Sequence, residues 1–414
     1  MALIVQKYGG TSVGSEELIK KVAEKVKKTR DDGNSVVVVL SAMAGETDRL
    51  VDLAYSMNPA PTEREVDVIL STGEQVTVAL LSIALNSMGC PARSFTGPQV
   101  KISTDSAFTR ARIKDIDRKK IEKELKKGNV IVITGFQGAD EDGNITTLGR
   151  GGSDTSAVAL SAALNADVCE IYTDVEGVYT TDPNISPKAR KLDKISYDEM
   201  LEMASLGAKV LQIRSVEFAK KYNVPLLVRS TFKDVPGTYV IEEDKDMERV
   251  VVSGIAYNVD ECKLTLKGVP DKPGIAAEIF GTISDANINV DMIIQNISED
   301  NIADITFTVP KNDLKKSKEI LNELMKKLGA ERIVVNEDIA KVSIIGVGMR
   351  SHAGVASQMF KALASENINI LMISTSEIKV SCAIERKYTE LAVRVLHKAF
   401  GLDKETSDTL TEDY

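Results

Sequence analysis

The chain has 414 residues, enough for two or three domains, each with its own core, and its apolar and charged fractions are those of an ordinary globular protein. A net charge of −9 leaves no basic field for nonspecific nucleic-acid binding, so no nucleic-acid partner is expected. Only two histidines occur, His352 and His397, and the four cysteines (Cys90, Cys169, Cys262, Cys382) form no CxxC pair, which argues against a Ser-His-Asp triad, a zinc site and a disulfide framework.

In chain order, the opening MALIVQKYGG lacks the charged-then-apolar layout of a signal peptide, and no apolar run reads as a membrane span. The expected location is the cytoplasm, with no membrane partner. Ala2–Gln6 reads as a short strand, Glu16–Thr29 as a helix and Ser35–Leu40 as a buried strand. Helical spacing then covers roughly Glu63–Ser87, with strands at Ala92–Phe95, Val130–Thr134 and Cys169–Thr173. The helix Tyr197–Ser205 and the strand Leu226–Arg229 complete a first domain over residues 1–245. Helices between continuous apolar strands predict an α/β three-layer sandwich with a mainly parallel sheet, whose ligands sit beyond the carboxyl ends of the strands.

The remainder contains an internal repeat. PGIAAEIFGTISDANINVDMI (Pro273–Ile293) realigns with AGVASQMFKALASENINILMI (Ala353–Ile373), with Gly274/Gly354, Phe280/Phe360, Asn287/Asn367, Asn289/Asn369 and Met292/Met372 coinciding. The first copy reads as strand Lys263–Val269, helix Gly274–Ala286, strands Asn289–Asn296 and Ala303–Val309, helix Asp313–Leu328 and strand Arg332–Asn336, a complete βαββαβ unit of ferredoxin-like type. The second supplies Lys341–Val347, Gly354–Glu366, Asn369–Ser374, Ile378–Ile384 and Thr389–Ala399, then stops before a last strand. The unused apolar segment Val250–Ala256 is expected to close it. Residues 263–338 would then be a domain inserted within a second one made of 249–258 and 339–401. The polar tail 402–414 is expected to be disordered.

Several strand ends carry residues suited to phosphate and carboxylate chemistry. Lys7-Tyr8-Gly9-Gly10-Thr11 joins two glycines, which let backbone approach a ligand, to a lysine able to neutralise phosphate oxygens; plain turn chemistry is the competing account. Walker A spacing is absent. Gly149-Arg150-Gly151-Gly152-Ser153-Asp154 precedes an apolar helix, Thr155–Leu164, and a guanidinium beside a helix N-terminus suits a carboxylate. There Ser153 or Asp154 could equally be an N-cap, and Asp154 could organise a substrate ammonium or the phosphoryl site. Thr173-Asp174 opens a loop in which Tyr179 either packs or meets a base or ribose. Ser71-Thr72-Gly73-Glu74 places a costly glycine within a helix, beside a glutamate that reads either as a solvated charge or as a ligand. Gly207-Ala208-Lys209-Val210 is a lysine-bearing turn.

As an ordered set, KYGGTSV, VVLSAMAG, STGE, GRGGSD, TDVEGVYTTDP and GAKVL resemble the aspartokinase family over essentially the whole chain, and the repeated C-terminal units resemble paired ACT domains. The first and fourth motifs are specific to that family within the wider amino-acid kinase superfamily. The resemblance implies an amino-acid-kinase-type catalytic domain that binds ATP, with Mg²⁺ carried on the nucleotide and no separate protein metal site, and phosphorylates L-aspartate. It implies ATP contacts from Lys7, Tyr8, Gly9, Gly10, Ser41, Thr173, Asp174, Tyr179, Lys209 and Val210. Aspartate contacts would come from Thr47, Glu74 (ammonium), Arg150 (α-carboxylate), Gly151, Gly152 and Ser153, with Lys7, Arg150 and Asp154 the catalytic set. Asn184 departs from the arginine of many relatives. A carboxylate substrate is already an anionic nucleophile at neutral pH, so positioning and charge neutralisation suffice and no histidine base is required.

For the ACT-like copies, the resemblance implies feedback inhibition by lysine or threonine and pairing of chains into a homodimer or larger assembly. Asp271, Gly274, Ile275, Ala276, Asn289, Asp291 and Gln295 form the expected effector site of the first copy. Val355, Ala356, Asn369 and Glu377 are its counterparts in the second, where Leu371 replaces the aspartate, so the two sites should be unequal. The apolar stripe Ile275, Ile279 and Ile283 also has a plain packing role. Rival readings are a kinase for another carboxylate, such as glutamate or N-acetylglutamate, and a catalytically silent amino-acid sensor.

Overall fold

A computed structural model of the chain describes residues 2–207, 210–244, 247, 250–297 and 302–404. Lys209 and the tail from 405 onward, both subjects of expectations above, lie outside these residues. Two compact units form: Met1–Tyr179 with Lys191–Glu248, and Thr180–Arg190 with Arg249–Tyr414.

The first unit begins with β1 (Leu3–Tyr8), α1 (Glu16–Asp31), β2 (Ser35–Leu40), α2 (Glu46–Met57), α3 (Glu63–Leu70) and α4 (Thr72–Ser87). Next come β3 (Ala92–Phe95), β4 (Ile102–Thr104), β5 (Ile113–Ile116), α5 (Lys119–Leu125), β6 (Val130–Thr134), β7 (Gln137–Ala139) and β8 (Ile145–Thr147). It closes with α6 (Gly152–Leu164), β9 (Val168–Thr173), β10 (Lys194–Ser196), α7 (Tyr197–Ser205), α8 (Ile213–Tyr222), β11 (Leu226–Ser230) and β12 (Thr238–Ile241).

Eight strands form one sheet in the order β10-β12-β11-β9-β1-β2-β6-β3, parallel except at β11–β12. The apolar β-branched run of β2 is buried from Val36 to Leu40, as a strand covered on both faces must be. Ser15 caps α1 by accepting the Leu18 N–H, and Ile19, Val22, Ala23 and Val26 give that helix the stripe that packs with α4 over Tyr8, Val38 and Val132. Strand alternation turns Val5 and Lys7 to the other face, where α6 packs on β1, β2 and β9. A second small sheet, β5-β4-β7-β8, was not foreseen; strands of three or four residues are too short to show a period.

One expectation is corrected here. Glu63–Ser87 does have the length and apolar character of a membrane span. Half of its most apolar 18-residue window is buried, with Val78, Leu81 and Leu85 joining the core of this unit, and the stretch divides into α3 and α4 around Ser71.

The second unit contains β13 (Gly254–Asn258), β14 (Glu261–Pro270), α9 (Ile275–Asp285), β15 (Ile293–Ile297), β16 (Ile302–Pro310) and α10 (Leu314–Leu328). It continues through β17 (Arg332–Asn336), β18 (Ile339–Ile345), α11 (Val355–Ser365), β19 (Ile370–Thr375), β20 (Lys379–Glu385) and α12 (Thr389–Ala399). Two antiparallel four-stranded sheets result, β15-β16-β14-β17 and β13-β18-β20-β19. β13 pairs with β18, so the whole first copy lies between these two neighbours in sequence. β15 starts at Ile293 rather than at Asn289. The left-handed Asn287 (φ 56°) turns the chain, and the intervening residues hold to the sheet through Thr308, whose hydroxyl accepts the Met292 N–H at 3.2 Å.

Candidate active site

β1 delivers Lys7 to the carboxyl edge of the large sheet. Its Nζ lies 2.6 Å from Asp154 Oδ1 in the first turn of α6, with both side chains only about a tenth exposed (12% and 11%). Breaking such a pair by removing one partner strands a buried charge, so this lysine is held in place before any ligand arrives. Tyr8, one residue on, points the opposite way. Its ring is fully buried and stacks on Tyr172 with centroids 4.5 Å apart, so the expected nucleotide contact at Tyr8 is left to its backbone alone. Gly9 and Gly10 follow, and a Cβ on Gly10 would stand 3.0 Å from the Ala42 carbonyl oxygen.

Gly73 explains how a glutamate enters the site. A Cβ there would come within 2.7 Å of the Ala42 Cβ, so glycine lets α4 close on the turn after β2. That approach carries Glu74 inside, 3% exposed, with Oε1 accepting the Ala42 N–H at 3.2 Å. Its Oε2 is buried with no hydrogen-bond partner among the described residues. Burial raises the Glu74 pKa to about 7, against the opposing effect of its backbone hydrogen bonds. Of the two sequence readings, the solvated helix charge is thereby excluded.

The turn before α6 supplies the third wall. Neither Ser153 nor Asp154 is the N-cap, as had been open; that position is Gly151, in the left-handed region (φ 69°), where any Cβ would collide with Gln212. No side chain caps the helix; the Gly152 N–H donates to the Gly149 carbonyl at 2.9 Å, while the Ser153 and Asp154 N–H groups have no acceptor among the described residues and are available to an anion. Arg150 is exposed beside them and makes no ion pair among the described residues. Two residues that the sequence did not flag support this turn. Asp67 on α3 accepts the N–H groups of Thr147 (2.8 Å) and Thr109 (2.9 Å) and the Thr147 hydroxyl (2.6 Å), pinning β8. Phe136 adopts a left-handed conformation (φ 67°) while its N–H donates to Ser156 Oγ at 3.1 Å.

Together Lys7, Ser41, Thr47, Glu74, Arg150, Gly151, Gly152, Ser153 and Asp154 line one cavity of about 200 Å³, joined by Phe136 and Gly149. Nothing in the sequence signals Phe136, because its role follows from a backbone conformation. Thr173, Asp174, Tyr179 and Val210 do not line this cavity. Thr173 ends β9, which neighbours β1, and Asp174 and Tyr179 follow it; the Gly9 N–H reaches the Tyr172 carbonyl at 3.4 Å. Tyr179 is half-buried and bridges antiparallel to Lys191.

The expected effector residues are mostly on the surface of the second unit. Asn289, Asp291, Gln295, Ala276, Asn369 and Glu377 are exposed, Ile275 and Asp271 partly so, and Val355 is buried. Asp291 pairs with Lys341, a buried lysine that also holds Glu261 at 2.9 Å. Gly274 and Gly354 sit at the N-caps of α9 and α11, both left-handed.

A parallel α/β sheet with this cavity and two ferredoxin-like units define an amino-acid kinase carrying ACT domains. Residues 2–230 match the amino acid kinase family, and residues 264–329 and 342–400 each match the ACT domain. Among curated relatives, the aspartate kinase of Pseudomonas fluorescens is 64% identical over 406 residues, covering 97% of this chain and 98% of that protein. The aspartokinase of Helicobacter pylori is 54% identical over 407 residues, covering 97% and 100%. The solved structure of E. coli aspartokinase III in complex with aspartate and ADP matches with a TM-score of 0.80 at 27% identity, over 96% of this chain and 99% of that one. The chain belongs to the aspartate kinase family.

Proposed function

We propose that this chain transfers the terminal phosphoryl group of MgATP to the β-carboxylate of L-aspartate, giving 4-phospho-L-aspartate for lysine, threonine and methionine biosynthesis in the cytoplasm. The observation that carries this reading is the buried, unpartnered Oε2 of Glu74 facing a cavity that also holds the unpaired Arg150. An α-amino acid supplies what both lack: an ammonium for Glu74 and a carboxylate for Arg150 and the α6 N-terminus. An N-acylated acid has no ammonium and would leave Glu74 unmatched, which disfavours that rival.

With both ends of aspartate held, its side-chain carboxylate points toward Lys7. A carboxylate oxygen attacks the terminal phosphorus as the bond to ADP breaks, and Lys7, steadied by Asp154, neutralises the charge on the transferred group. Mg²⁺ supplies further neutralisation between the phosphates when bound. Asp154 is paired with Lys7, and the open oxygen of Glu74 is matched by the substrate ammonium, which suits an ion that brings phosphate and water ligands of its own. Lysine or threonine acts as inhibitor at the ACT domains by favouring a less active arrangement. The edge strands β15 and β19 bear the exposed Ile293 and Ile373, apolar surface suited to pairing of a homodimer.

Glu74→Gln keeps the acceptor for Ala42 and removes the charge, and is expected to raise KM for aspartate about 10–100-fold. Because Glu74 titrates near pH 7 in the empty site, KM for aspartate in the parent enzyme should fall between pH 6 and 8 as the carboxylate forms. For stability the sign is opposite: the raised pKa favours the fold below the unfolded value of about 4.5, and that contribution fades as pH rises through about 7. An unaltered KM in the variant removes Glu74 from the substrate site.

A further inference from the structure

The boundary between the two units crosses the chain at an unexpected place. Thr180–Arg190 is grouped with the second unit, yet it is flanked on both sides, at Tyr179 and Lys191, by the kinase unit. The base of this excursion is a short antiparallel ladder, with Tyr179 bridging Lys191 and the Leu192 N–H donating to Val178 O at 2.8 Å. Immediately upstream runs the loop Thr173–Tyr179, read above as the nucleotide loop, and the inference rests on that reading.

Within the second unit the excursion is held at many points. The Thr180 carbonyl accepts the N–H of Ile255 on β13 at 2.7 Å. The Thr180 hydroxyl accepts the Arg190 N–H at 3.0 Å, leaving its own proton to donate to His397 Nε2 on α12, 2.9 Å away and buried. The Tyr257 hydroxyl donates to Asp182 Oδ2 at 3.1 Å, and Arg190 Nε donates to the Leu402 carbonyl at 2.9 Å. Ile185 packs against the core of the second ACT copy. Pro183 and Pro187 restrict the backbone between these anchors. A surface loop needs none of this; although the buried Thr181 hydroxyl has no partner among the described residues, the anchors at Thr180, Asp182 and Arg190 give the segment one position rather than several.

We propose that Thr180–Arg190 is a strap through which the second ACT copy positions the nucleotide loop, with His397 as its positioning residue. A shift of β13 against α12 changes where Thr180 is held, and Tyr179 is the next residue in the chain. The strap therefore converts a rearrangement of the sensor into a change in nucleotide binding, without any effector near the kinase cavity.

The test uses the full-length protein. His397→Leu removes the acceptor for Thr180; it should raise KM for ATP about five- to tenfold, leave kcat and KM for aspartate within twofold, and reduce maximal inhibition by lysine or threonine. Calorimetric binding of the effector itself should be unchanged. His397→Gln, which can return an acceptor near the Nε2 position, should restore most of the ATP affinity and inhibition. Tyr257→Phe, deleting a single peripheral bond, should shift KM for ATP the same way by about twofold and guards against a misfolded leucine variant. Unaltered KM for ATP and full inhibition in both His397→Leu and Tyr257→Phe overturn the strap, as does loss of effector binding together with inhibition. An error in the nucleotide-loop reading shows separately, because Tyr179→Ala would then leave KM for ATP unchanged.

Discussion

In the kinase unit, Lys7 from β1, Glu74 from α4, and Arg150 and Asp154 from the turn into α6 converge on one small cavity, with Glu74 and Asp154 buried and Lys7 already paired with Asp154. In the ACT unit, the residues expected to meet an effector are spread over exposed surface, and the one acidic side chain among them that faces a buried cation, Asp291, is occupied by Lys341. The cavity bears the cost of desolvated charge before its substrate arrives, because transition-state charge is best met by groups that need not reorganise. The expected effector residues keep their polar groups hydrated, so a ligand binding there would first have to displace water or an internal ion pair, which would suit a weak, reversible signal.

The largest break in this contrast is expected from Lys7→Ala. Loss of one preorganised cation should lower kcat about 10²–10³-fold. Circular dichroism and thermal unfolding should show a folded protein, since Asp154 remains within an intact α6; a near-normal kcat would remove Lys7 from the chemistry. Asp291→Ala sharpens the comparison from the other side. Lys341 keeps Glu261 as its partner, so the fold should hold and kcat should stay unchanged, while the concentration of lysine or threonine giving half-inhibition rises about tenfold. Inhibition curves that superimpose on those of the parent would place the effector elsewhere. The smallest effect concerns the two ACT copies themselves. Gly274 (φ 98°) and Gly354 (φ 89°) have open space where a Cβ would stand, so each Gly→Ala change meets only backbone strain, about 1–2 kcal/mol. Thermal unfolding of the full chain should show equal shifts for the two variants, and a clear inequality would mean that the repeat conceals different local packing.

The two copies show which residues a fold repeats and which it does not. Coincident positions turn out to be backbone devices and core: Asn287 and Asn367 are both left-handed after their helices, and Met292 and Met372 meet in one buried cluster with Ala383. Asp291 and Leu371 differ because the position they share is outside that set.

Long elements with a clear period were legible before the structure. Ser35–Leu40, Val130–Thr134, Tyr197–Ser205 and Thr389–Ala399 have the bounds that their apolar patterns predict. The short strands β4, β5, β7 and β8 were not, nor were α2, α5 and α8, whose signals are weak or interrupted. Among cavity residues, Glu74 was visible as a glutamate beside an ill-placed glycine, but its burial depends on how closely α4 approaches Ala42. Asp67 and Phe136 left no trace, because their parts are set by partners far along the chain and by a backbone angle.

Periodicity, turn residues and motif order are properties of neighbouring residues, and the linear chain was enough to dictate the α/β architecture, the repeated βαββαβ units and the family. Burial, ion pairing and the strap's attachment are properties of residues distant in sequence. Only after folding does Lys7 find Asp154, does Glu74 acquire an unpartnered oxygen, and does Thr180 leave the kinase unit for His397. Desolvation, which gives these groups their leverage, exists only once the core has closed around them.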